Sequence, residues 1–62
     1  MFEDLDVVKI SKDFPEHKLK TGDIGTVILQ VSTSEYDVEF VDKEGHTIAI
    51  LTLSETNLEK IN

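Results

Sequence analysis

The sequence predicts an all-β domain: a small five-stranded antiparallel sheet, bent far enough to close partly into a barrel. Three observations predict it. Short segments rich in β-branched and aromatic residues recur between turn signals. Glu35 to Val41 alternates between apolar and acidic side chains, the signature of a strand with one wet face. No segment has the length and 3.6-residue period of an amphipathic helix. With 62 residues the chain makes a single domain, residues 1–62. A chain this short buries only about 60% of the surface its unfolded form exposes. Bending the sheet toward closure is the economical way to bury apolar faces and shorten exposed edges.

The elements follow in order. Leu5 to Ile10 is β-branched and partly alternating, and reads as the first strand. Ser11 to Asp23 is a long polar loop punctuated by Pro15, and Gly22 marks its turn into the next strand. Ile24 to Val31 is the second strand. Gly25 inside it signals a bulge or a close backbone approach. Ser32-Thr33-Ser34 is a polar turn and Glu35 to Val41 the third strand. In Asp42-Lys43-Glu44-Gly45, Asp accepts backbone hydrogen bonds and Gly supplies the positive φ that closes the hairpin. His46 to Leu53 is the fourth strand, Ser54 to Asn57 suits one 3₁₀ turn, and Leu58 to Ile61 supplies a short closing strand. The expected core includes Val7, Val27, Val38, Phe40, Ile50 and Leu53.

Composition excludes several classes. There is no Cys, so disulfides and thiolate metal sites are ruled out. The longest apolar run, Ile48 to Leu51, is far below the ~20 residues a membrane span needs. The acidic start, Met1-Phe2-Glu3-Asp4, does not read as a secretory leader, and a cytoplasmic location is expected. Six basic residues, all Lys, face thirteen carboxylates, for a formal net charge of −7. That balance disfavours nucleic acid and acidic lipid headgroups, whose binding depends on neutralising phosphates, and favours a basic protein partner. The one locally basic stretch, Lys12 to Lys20, is diluted by Asp13 and Glu16.

No enzyme is expected. Phosphate loops, nucleophile elbows and zinc spacings are missing, and His17 and His46 share no ligand spacing. Asp42 to Gly45 is too short for a calcium loop, and so small a core has little room for an enclosed drug-sized pocket. The expected catalytic, cofactor and metal sets are therefore empty.

The stretch Leu19-Lys20-Thr21-Gly22-Asp23-Ile24-Gly25-Thr26-Val27 resembles the turn-and-strand element of SH3-like barrels, including the KOW-type modules. The wider pattern adds Asp6-Val7-Val8, Pro15, Val38-Glu39-Phe40-Val41-Asp42, Gly45-x-Thr47 and Ala49-Ile50-Leu51-Thr52-Leu53. Together these resemble a family of short bacterial proteins of unknown function with an SH3-like barrel, some of them encoded beside putative toxins. The resemblance implies a small five-stranded antiparallel SH3-like barrel and an antitoxin-like or immunity-like partner. It carries no catalytic residues. KOW-like relatives bind RNA or ribosomal protein, through a basic, aromatic-bearing surface that this sequence lacks.

Function is thus expected to be a non-enzymatic interaction module that binds and masks a basic protein. The competing readings are a KOW-like nucleic-acid-binding or ribosome-associated module and an acidic mimic of nucleic acid. The expected partner-binding residues are Phe14 and Pro15, an aromatic–proline pair in a polar loop, with Glu35, Asp37 and Glu39 on the wet face of the third strand. A further candidate is the fourth strand, apolar on both faces, with Ile48 and Ile50 pointing one way and Ala49, Leu51 and Leu53 the other. Either Met1, Phe2 and Leu5 wrap over its second face, or that face is an exposed interface strip.

Overall fold

The computed structural model describes residues 2–61. It is all-β, a single five-stranded antiparallel sheet. The strands are β1 (Val7–Ile10), β2 (Ile24–Gln30), β3 (Glu35–Val41), β4 (Thr47–Ser54) and β5 (Leu58–Lys60). Their order across the sheet is β4-β3-β2-β1-β5, so β4 and β5 are its two edges. The chain crosses from one edge to the other through a 3₁₀ turn, Glu55–Asn57, capped by the Ser54 side chain. The sheet is not a closed barrel, since no pairing joins β4 to β5 among the described residues.

One face is buried. Val8, Ile10, Val27, Tyr36, Val38 and Phe40 are at most 1% exposed, and Leu19, Leu53 and Leu58 complete the core. Tyr36 is satisfied at both ends: its ring meets Phe2 edge-on at 5.3 Å, and its hydroxyl oxygen accepts the Phe2 backbone N–H. Gly25 sits beneath Val38 and Phe40, where the backbone of β2 comes closest to the core.

Register decides which apolar residues face inward. The hairpin bond from Asp42 N–H to His46 O and the pair Val41–Thr47 set the start of β4. Regular pairing from there would put Ile48 opposite Phe40 and Ile50 opposite Val38. A bulge at Ile48 shifts the ladder by one, so Ala49 faces Phe40, Leu51 faces Val38 and Leu53 faces Tyr36. A one-residue shift exchanges the two faces of a strand. Ile50 therefore points outward, 53% exposed, and is not core. Val7 is likewise 42% exposed, because Val8 and Ile10 take the inward positions of β1.

The first strand is shorter than expected. Asp6 accepts the Glu3 backbone N–H and closes a turn in which Leu5 adopts φ 72°, leaving Leu5 75% exposed. Leu5 covers nothing, Phe2 packs on the core side, and Met1 lies outside the described residues. The outward side chains of β4, Ile48 and Ile50, are left about half exposed. The long loop is also more ordered than its composition suggests. Phe14 and Leu19 form a bridge around a 3₁₀ turn, Pro15–His17, and Asp13 ties the base by accepting both the N–H and the hydroxyl of Thr21.

Candidate functional site: an acidic, apolar-flanked sheet face

Strand β3 builds the site. Since Tyr36, Val38 and Phe40 are committed to the core, Glu35, Asp37 and Glu39 line the opposite face, about 7 Å apart on alternate residues. Asp37 and Glu39 are half-buried and Glu35 is exposed. Hydroxyls hold all three. Thr52 on β4 donates to Asp37, Thr47 on β4 donates to Glu39 at 2.6 Å, and Ser32 donates to Glu35 at 3.3 Å. Among the described residues no Lys or His pairs with them. The Lys9–Glu59 and Lys60–Asp6 ion pairs, and the contacts of the His46 ring with Asp42 and Glu44, lie elsewhere.

Apolar side chains flank this acidic row on both sides. Glu39 stands between Ile50 of β4 and Thr26 of β2, with Val7 of β1 beyond Thr26. Asp37 stands between Thr52 and Leu29. Ile50 and Leu29 are each more than half exposed. Carboxylates bordered by exposed apolar groups make a face that attracts a cation-bearing surface and can desolvate what it attracts. Leu29 joins the face because a β-bulge falls between Val27 and Leu29. The sequence carries no mark of either bulge: β2 is apolar on both faces, so the outward position of Leu29 is not legible in it, nor are the Thr47 and Thr52 hydroxyl contacts.

Phe14 and Pro15 are placed differently. Phe14 is half-buried against the core cluster, on the inner side of the sheet, with the Lys12 ammonium 5.3 Å from its ring centroid. Pro15 is exposed at the start of the 3₁₀ turn. The acidic row is on the outer face, so the structure does not bring these two groups together.

Two further features lie near the β3–β4 turn. Asp42, Glu44 and His46 hold their possible ligand atoms within 4.8 Å of one another, and all three are exposed. One Asp42 oxygen already accepts the N–H groups of Glu44 and His46, so this geometry is that of the turn itself. Beside it is an open groove of about 470 Å³, floored by Leu19 and Phe40 and walled by Ile24, Val41 and Ile48. Its volume lies within the range of small-molecule sites, larger than chain size suggests, but it is open rather than enclosed. No helix among the described residues is long and apolar enough to cross a membrane.

The family described as Domain of unknown function (DUF4926) matches residues 4–60, and the chain belongs to it. Neither the comparison with curated proteins nor that with solved structures finds a match.

Proposed function

We propose that this chain is a non-enzymatic interaction module that binds and masks a basic protein partner, in the manner of an antitoxin or immunity protein. One observation carries the reading: Glu35, Asp37 and Glu39 share one face with no cation paired to them among the described residues, in a chain of net charge −7. Three like charges in a row repel one another modestly, and a basic surface relieves that repulsion on contact. The exposed Ile50 and Leu29 beside them supply apolar area that a purely solvated face would not need. The resemblance to short proteins encoded beside putative toxins supports the masking role.

The test is affinity capture from the native host with wild-type chain and with a double variant, Asp37→Lys with Glu39→Lys, at two ionic strengths. A basic protein retained by wild type, released by salt and lost by the double variant supports the proposal. Equal capture by both chains overturns it, as does a micromolar complex with RNA or duplex DNA near 150 mM salt.

A further inference from the structure

We infer that the basic partner docks by strand addition: an extended, Lys- or Arg-bearing segment pairs with the free edge of β4 as a sixth strand. This rests on the reading above and names where the partner sits. Strand β4 is the longest in the sheet, eight residues, and stands at its edge. Between Thr47 and Leu53 no backbone group bonds to loop or turn backbone among the described residues, and the only strand paired with β4 is β3. Proteins normally blunt such an edge with Lys, Pro, a bulge or a covering loop. Thr47–Ser54 holds neither a charged residue nor Pro, although 31% of the chain is charged. Its bulge lies at Ile48, near one end, and leaves Ala49 to Ser54 in regular register.

The side chains beside this edge specify the occupant's chemistry. Thr52 and Thr47 draw the Asp37 and Glu39 carboxylates toward β4, the side on which a new strand would lie. Outward residues of that strand would stand about 10 Å from β3, two strand spacings away. A Lys or Arg side chain and a carboxylate span that gap together. The aliphatic stems of those Lys or Arg side chains would cover Ile50, 53% exposed, while the strand's alternate apolar side chains would fall on the inner face beside the half-buried Ala49 and Leu51. Main-chain bonds then provide affinity and the carboxylates provide selection, as in other strand-addition complexes.

The probe is a ten-residue peptide alternating Lys and Val, titrated into the full ¹⁵N-labelled chain at low salt. Two controls accompany it: the same peptide N-methylated at alternate residues, and a Glu–Val peptide. Amide shifts and slowed hydrogen exchange along Ala49 to Ser54, absent with both controls, are expected. Ile50→Lys, which places a charge on an already exposed position, should weaken binding at least about tenfold, and its own spectrum reports that it folds. If the N-methylated peptide binds as tightly and shifts only Glu35, Asp37 and Glu39, strand addition fails and the acidic-face reading survives. If the Lys–Val peptide does not bind at all, both fail. If the free chain sediments as a dimer with Ala49 to Ser54 protected, a second copy occupies the edge and the inference is overturned.

Discussion

Gly25 lies so close to Val38 that a methyl group on it would sit 2.6 Å from the valine Cγ1, with the Phe40 ring 2.8 Å away. Both neighbours are buried in the core, so one of them or the backbone has to shift to admit the methyl group. Gly25→Ala is therefore expected to destabilise by about 1–3 kcal/mol through overpacking. At roughly 4–8 °C per kcal/mol for a domain of this size, thermal denaturation resolves the change easily. An unchanged melting temperature would show that β2 and β3 are not so close.

Phe40 and Ile50 make a paired test of the register. Phe40 is 1% exposed and Ile50 53%. Phe40→Ala should cost about 3–5 kcal/mol, close to the whole stability expected of so small a core. Ile50→Ala should stay within about 0.5 kcal/mol, as surface substitutions do. A cost of about 2–5 kcal/mol for Ile50→Ala in urea titrations, comparable to that of Phe40→Ala, would return the ladder to its unbulged register.

That pair also marks how far the sequence could be read. The strict alternation of β3 leaves one solution, and both its core and its acidic face follow directly from it. The β3–β4 turn is equally plain, because Asp42 and Gly45 have chemistry that only such a turn uses. In β4 every position from Ile48 to Leu51 is apolar, so alternation offers two faces of similar merit. The bulge at Ile48 chooses between them, and it arises from how β4 fits β3 rather than from any residue that announces it. Val7 and Val8 posed the same ambiguity in β1. Family membership was legible because its motifs span the chain, whereas the Phe14–Leu19 bridge joins residues with no periodic signal.

Gly45 adopts φ +87° at the end of the β3–β4 turn, a left-handed conformation that a β-branched residue tolerates poorly. Gly45→Val is expected to cost about 1–2 kcal/mol or more, although nothing within 4 Å would clash with its Cβ. The effect is conformational, so Gly45→Asn should restore much of the loss. Equal melting temperatures for the Val and Asn variants would contradict the assigned turn.

Asp13 gives the loop a pH signature. The Thr21 backbone N–H and hydroxyl both donate to its carboxylate and hold its pKa below the usual value. A depressed folded pKa contributes stability that is present above the unfolded value of about 3.9 and lost as pH falls through the folded pKa. Asp13→Asn should therefore lower stability at neutral pH and flatten its decline below about pH 4. Melting temperatures of both chains between pH 2 and 7 check this, and parallel curves would count against the Asp13–Thr21 link.

Partner association should depend on the acidic row of β3 and not on Phe14. Glu35, Asp37 and Glu39 line the outer face of β3, so their field acts on an approaching basic surface before contact. Reversing Asp37 and Glu39 to Lys should slow association with the captured partner and flatten its dependence on salt, since steering by charge fades within a Debye length of about 8–10 Å at physiological ionic strength. Phe14 is half-buried against the core and bridges to Leu19, so Phe14→Ala should lower the melting temperature and leave the association rate unchanged. Stopped-flow association at two salt concentrations, read beside thermal melts of the same variants, separates these effects. An unchanged rate in the charge-reversed chain would show that the acidic row is merely solvated. Faster dissociation in Phe14→Ala without any loss of stability would make Phe14 an interface anchor rather than a packing residue.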